Sequence, residues 1–126
     1  EYIFKSSSAL WLSSDGSWMC YASFNDTAVA ETAIPIYTQQ YAQIKTIRYP
    51  LVDSINPSMS LWVVDLTQPS ASPKELVPPN RIKDKDHYVT SVKWASNNRL
   101  LVVWRNRAQN LSVSTLCQST VSKCQE

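Results

Sequence analysis

Groups able to act as nucleophiles, bases or metal ligands are few in this 126-residue chain, and their spacing argues against a self-contained active site. The one histidine, His87, follows Asp86. A serine hydrolase needs a hydroxyl activated by a histidine that a carboxylate orients, and no serine of the chain stands in a motif that would identify it as the activated one. His87 therefore reads as a residue at a strand entry. Asp84 and Asp86 have the look of a paired acid and base, but the segment Arg81–Asp86 is lysine-rich and reads as a solvated loop, whereas acid–base catalysis needs an enclosed site. Nucleophile elbows, phosphate loops and dinucleotide fingerprints all require several glycines, and the chain has one, Gly16. By itself the sequence does not make an enzyme.

The three cysteines divide unequally. Cys117 and Cys124 stand one short loop apart in a polar tail, where a small disulfide loop is one reading. Zinc is the rival, and it fares poorly with a single histidine and no Cys-x-x-Cys pair. Cys20 lies in an apolar run and reads as a small buried side chain. Asn25-Asp26-Thr27 and Asn110-Leu111-Ser112 fit the glycosylation pattern, and together with a disulfide they favour a secreted or surface-exposed setting. A net charge of +2 with a pI near 8.5, from scattered basic residues, gives no nucleic-acid footprint. No apolar run approaches the roughly 20 residues that span a bilayer, and EYIFKSSS lacks the apolar core of a signal peptide.

The elements that must position these groups are strands. Residues 88–94, 99–104 and 111–117 are short, rich in Val, Leu and aromatics, and bounded by polar clusters, which predicts a three-stranded meander. Along the first of these, Val89, Ser91 and Lys93 should share one face and Tyr88, Thr90, Val92 and Trp94 the other, since side chains alternate across a pleated strand; Leu100–Trp104 is apolar at every position, as a central strand buried on both faces would be. Asn97-Asn98 reads as a tight turn, because Asn tolerates the positive dihedrals that hairpins use. Upstream, Ser13–Gly16 joins residues 8–12 to residues 18–24 as a second hairpin, and Met59–Thr67 alternates Leu61 and Val63 against Trp62 and Val64. Pro35 excludes its strand from a sheet centre, leaving an edge or an arm. A weaker strand is expected at Lys74–Val77 after a Pro- and Ser-rich connection. A Trp-ended strand, polar turn and apolar strand occur at Trp11 and again at Trp94, a repeat of the kind found in propeller blades.

Taken together, Ala9-Leu10-Trp11, Asp15-Gly16, Phe24-Asn25-Asp26-Thr27, Tyr49-Pro50, Asn56-Pro57, His87-Tyr88, Lys93-Trp94, Trp104, Arg107, Gln109-Asn110, Ser112 and Cys117 resemble the dipeptidyl peptidase IV family over essentially the whole chain. The resemblance implies an all-β fold: a partial β-propeller of about two to three four-stranded antiparallel blades within residues 1–126, cut from a propeller that caps a separate α/β-hydrolase domain. The family's catalytic serine, aspartate and histidine belong to that other domain, and no cofactor or metal is implied.

The resemblance also implies roles for particular positions. Family members hold the free amino terminus of a peptide substrate with glutamates just ahead of the aromatic matching Phe4. Here only Glu1 stands in register, with Tyr2 next to it, which would weaken amine recognition. The segment from about Val29 to Val52 resembles the arm that reaches toward a second subunit in a homodimer. Cys117 and Cys124 fall where the family has a disulfide, and Asn25 and Asn110 fall on its glycosylation positions. The implied setting is the extracellular face, either anchored as a type II membrane protein or secreted. Active members remove dipeptides from peptide amino termini after Pro or Ala. Silent members serve as accessory subunits of voltage-gated potassium channels, and propeller faces in the family also dock protein ligands.

Overall fold

The computed structural model describes residues 4–38, 40–120 and 124–126. Two compact units divide the chain: residues 1–23 with 59–126, and residues 24–58. In chain order the strands are β1 (Leu10–Leu12), β2 (Trp18–Asn25), β3 (Glu31–Ile36), β4 (Gln43–Arg48), β5 (Ser58–Asp65), β6 (Lys74–Leu76), β7 (His87–Ser96), β8 (Arg99–Asn106), β9 (Ser112–Gln118) and β10 (Cys124–Gln125). No helix occurs among the described residues.

The first unit holds two four-stranded sheets, ordered β1-β2-β5-β6 and β7-β8-β9-β10. Every pairing with a determined register is antiparallel. Each sheet thus runs through its strands in sequence order, the first being interrupted between β2 and β5 by the second unit, where β3 and β4 form a two-stranded ribbon. The strands that follow the Trp11 hairpin therefore complete its sheet and supply the ribbon; they do not make a third blade.

One core lies between the two sheets. It takes Cys20, Leu61, Val63 and Leu76 from the first, and Val89, Leu100, Val102, Trp104 and Val113 from the second. Period-2 alternation explains the selection, since neighbouring residues of a strand face opposite ways. Full burial of each Leu or Val contributes about 1.5–3 kcal/mol relative to exposure. Trp104 is the largest fully buried side chain, and its Nε1 donates to Thr115 Oγ1 at 2.8 Å, so its polar atom is satisfied inside the core.

Four local expectations are corrected. Alternation along β7 breaks at Thr90: Val89 pairs with Trp104 while Ser91 pairs with Val103, a bulge that lets both Val89 and Val92 face the core. Strand β8 is central but buried on one face only, because Leu101 remains 40% exposed. Neither Asn97 nor Asn98 has a positive φ; a second irregularity between Trp94 and Ser96 accompanies the turn. Finally, the charged segment Arg81–Asp86 is not wholly solvated, since Ile82 is fully buried and its amide donates to Pro79 O at 2.9 Å.

The β1–β2 hairpin closes through Ser13 and Asp15. Ser13 and Trp18 exchange backbone and side-chain bonds, with Ser13 N donating to Trp18 O at 2.9 Å and Trp18 N to Ser13 Oγ at 3.0 Å. Gly16 takes φ +72° in this loop, a left-handed conformation that glycine adopts without steric cost.

Candidate functional site

The groups that could have formed a catalytic set are engaged elsewhere. Asp86 pairs with Arg107, Oδ2 to Nη1 at 3.3 Å, and the Arg107 amide donates to Asp86 O at 2.9 Å. His87 instead places Nδ1 2.8 Å from Lys85 O and sets its ring edge-on to Trp104, centroids 5.7 Å apart. The structure therefore separates the neighbours Asp86 and His87 onto different partners, and both serve the entry of β7. Among the described residues no group of three or more His, Cys, Asp or Glu gathers as a metal site would require.

Cys117 and Cys124 are joined by a disulfide across the β9–β10 pair, where they stand directly opposite each other. Cys20 is the free cysteine, and burial pushes its thiol up to about 12. A thiol so protonated is a core side chain and not a nucleophile.

The asparagines of both sequons, Asn25 and Asn110, lie at the surface. At the end of β2, Asn25 Oδ1 accepts from Thr27 N at 3.0 Å and from Thr27 Oγ1 at 2.7 Å, while Arg48 Nη1 donates to the carbonyls of Asp26 (3.0 Å) and Thr27 (2.7 Å). Arg48 also pairs with Glu31 at 3.6 Å across the ribbon, so one guanidinium holds both the sequon loop and the base of β3 and β4. Asn110 sits in the β8–β9 turn, where Asn106 Nδ2 donates to its Oδ1 at 2.7 Å and Gln109 adopts a left-handed φ of 58°.

Glu1 lies outside the described residues. Phe4, three positions on, packs edge-on to Trp11 with centroids 5.3 Å apart. Beside them Ser6, Ser8, Thr90 and Ser91 line a recess of about 230 Å3 between the leading strands of the two sheets. A second cleft, of about 400 Å3, lies against β6 and takes Trp18, Asp65, Lys74 and Thr120 into its walls; Lys74 Nζ donates to Thr120 O at 3.2 Å. Reading the sequence missed this cleft, because residues so far apart in the chain carry no common spacing.

The most extensive open features are apolar. The ribbon exposes Tyr37 (79%), Tyr41 (81%) and Ile44 (75%) within the second unit. In the first unit each sheet keeps an outer face turned from the core. That of the first sheet carries Leu10, Leu12, Tyr21 and Trp62, with Leu10 and Leu12 about half exposed. That of the second carries Leu101, Val103 and Leu116.

Comparison with known proteins agrees with this architecture. The family described as "Dipeptidyl peptidase IV (DPP IV) N-terminal region" matches residues 1–126. The chain is 41% identical over 125 residues to inactive dipeptidyl peptidase 10 of Mus musculus, covering 98% of this chain and 16% of the relative. It is 33% identical over 124 residues to dipeptidyl peptidase 4 of Bos taurus, covering 93% and 16%. To prolyl endopeptidase FAP of Homo sapiens it is 34% identical over 111 residues, covering 86% and 15%. A solved Bacteroides ovatus structure assigned as a dipeptidyl aminopeptidase IV shares the fold with a TM-score of 0.77 at 15% identity, over 93% of this chain and 16% of that one. The chain thus spans about a sixth of the length of these relatives. With matched residues from end to end and two stacked four-stranded antiparallel sheets, the chain belongs to the dipeptidyl peptidase IV family, as a section of its N-terminal propeller region.

Proposed function

We propose that this chain is a non-catalytic propeller section of a dipeptidyl peptidase IV-like serine exopeptidase that removes amino-terminal dipeptides after Pro or Ala. The observation that carries the proposal is the pair of apolar outer sheet faces, which suits two adjacent blades flanked by others of the same ring. In the whole protein the section shapes the opening through which peptides enter, and Glu1 takes part in holding the substrate's amino terminus. The ribbon within residues 29–52 supports a homodimer through its exposed tyrosines and Ile44. Asn25 and Asn110 carry glycans, which places the protein on the extracellular face, membrane-anchored or secreted.

The test is activity of the whole protein against an Xaa-Pro reporter peptide, run beside the 126-residue chain alone. Dipeptide release by the first and none by the second is expected; release by the chain alone overturns the proposal.

A second reading is favoured by the identities. The chain is 41% identical to a relative named as inactive and 33% identical to a dipeptidyl peptidase 4. On this reading the whole protein lacks the nucleophilic serine and serves as an accessory subunit of a voltage-gated potassium channel, or as a docking surface for protein ligands. The residue at the centre of its Gly-x-Ser-x-Gly elbow decides between the two.

A further inference from the structure

The loop that joins β5 to β6 carries the stretch Thr67-Gln68-Pro69-Ser70-Ala71-Ser72-Pro73. Its prolines have no ladder donor, which keeps the stretch out of the sheet, and its three hydroxyls are not equivalent. Thr67 Oγ1 donates to Asp65 Oδ1 at 2.6 Å and is engaged there. Ser70 and Ser72 are exposed and take no hydrogen bond among the described residues. The Ala71 amide donates to Gln68 O at 3.0 Å, closing a turn with Pro69 at the second position, where proline is favoured. Ser70 holds the third position without a positive φ and so stands at the tip. Ser72 instead precedes Pro73, whose ring crowds the backbone and Cβ before it.

Both serines line the cleft of about 400 Å3 that they share with Trp18, Asp65 and Lys74. Val63, a core residue, also lines it, so the cleft opens on the side of the first sheet that faces the second. Both of those sheets belong to this chain, and the setting of the loop does not depend on blades beyond it. The loop lies with the β1–β2 turn, since Leu66 N donates to Ser17 O at 2.8 Å, and that turn meets the β7–β8 turn through Ser14 Oγ and Asn97 Oδ1 at 2.5 Å. The sequon at Asn110 occupies the β8–β9 turn, at the opposite end of the second sheet.

We infer that Ser70 is an acceptor for an O-linked acetamido sugar. The inference rests on the extracellular-face reading, which supplies the secretory compartment, and adds to it a modification of a different chemistry at a different place. Ser70 Oγ attacks the anomeric carbon of a sugar activated as its nucleoside diphosphate. The bond from that carbon to the diphosphate oxygen breaks, the nucleoside diphosphate leaves with the electron pair, and the hydroxyl proton passes to a base of the transferase. An enzyme acting on a folded protein needs an acceptor outside the ladders with an unengaged hydroxyl, and serine set among prolines in a surface loop meets that need. The neighbouring cleft gives the first ring a place to lie: clefts of about 300 Å3 upward hold small molecules, and Trp18 offers an apolar wall beside the polar groups of Asp65 and Gln68.

The experiment is peptide mapping of the whole protein made in cultured animal cells, after a glycosidase that removes N-linked glycans and converts each occupied asparagine to aspartate. Trypsin releases residues 49–74, bounded by cleavage after Arg48 and Lys74, and electron-transfer fragmentation assigns added mass to one hydroxyl. An acetamido sugar on Ser70 is expected, lost completely in Ser70→Ala and retained in Ser72→Ala; both side chains are exposed, so neither change should disturb the fold. Conversion of Asn25 or Asn110 in the same digest reports passage through the secretory compartment. Conversion beside a bare Ser70, or a sugar on Thr67 or Ser72 in its place, overturns the inference and leaves the extracellular reading standing. A digest with neither conversion nor sugar overturns both.

Discussion

The indole Nε1 of Trp94 donates to the backbone carbonyl of Trp11 at 3.1 Å, joining the leading strand of the second sheet to the leading strand of the first across 83 positions of sequence. The two tryptophans hold corresponding places in their sheets, and Trp11 is in turn covered by Phe4. Trp94→Phe keeps the aromatic packing but removes the donor. It is expected to destabilise the fold by about 1–2 kcal/mol, because a half-buried carbonyl loses its partner. Urea unfolding checks this: the midpoint should fall while the slope stays constant. An unchanged midpoint would mean that the sheets are held by apolar contact alone.

Asp15 governs the β1–β2 loop at low pH. Its Oδ1 accepts from Ser13 Oγ at 2.6 Å, Ser17 Oγ at 2.8 Å and Ser17 N at 3.1 Å. The Ser13 hydroxyl first, then the Ser17 amide and hydroxyl, hold its carboxyl below the ordinary aspartate value of 3.8. A carboxylate with a depressed folded pKa stabilises the fold above the unfolded value and loses that contribution as pH falls through the folded value. Asp15→Asn should therefore be less stable than the parent near neutrality, and the gap should close as pH drops below about 4. Thermal melts of both chains across that range would show a constant gap if the loop bonds were indifferent to ionisation.

The Cys117–Cys124 bridge closes a short loop, with a sequence separation of 7. Chain-entropy scaling gives about 2–3 kcal/mol for a loop of this size. Cys124→Ser should lower stability by that order and release the two-residue strand β10, which pairs with β9 at the sheet edge. Intact mass after thiol alkylation of undenatured, non-reduced protein should show neither Cys117 nor Cys124 labelled, and labelling of both would reject the bridge.

Cys20 offers an independent probe of global opening. Burial raises its pKa to about 12, so in the native chain at pH 8 almost none is thiolate and access is closed. Iodoacetamide should label it at a rate set by unfolding, rising steeply with urea through the transition. Rapid labelling in native buffer would show that the first sheet opens locally.

What the sequence made legible was local. The meander of β7, β8 and β9 and the alternation of Leu61 and Val63 against Trp62 follow from side-chain period alone. Pro35 marked β3 as an edge or an arm, because proline removes a ladder donor, and the strand proved to be half of the two-stranded ribbon. What escaped depends on distant partners. Ile82 is a single apolar residue in a charged segment, and nothing in its neighbours announces that it fills the core. The bulge at Thr90 inverts the facing of everything before it, which no alternation count detects. The exposure of Leu101 turns on whether another layer lies above β8, a question of the sheet's surroundings and not of the strand's composition.

The ribbon's position between β2 and β5 has a consequence for the order in which the molecule assembles. Strands β7 to β9 pair with their immediate successors and need only short closures, whereas β2 must find β5 across the whole of residues 26–57. Loop-closure entropy grows with the logarithm of length, by about 0.6 kcal/mol per doubling. If β3 and β4 zip first, they shorten the effective gap, so the ribbon becomes the clamp that lets the first sheet form. The meander then serves as the early template on which that slower sheet is laid down.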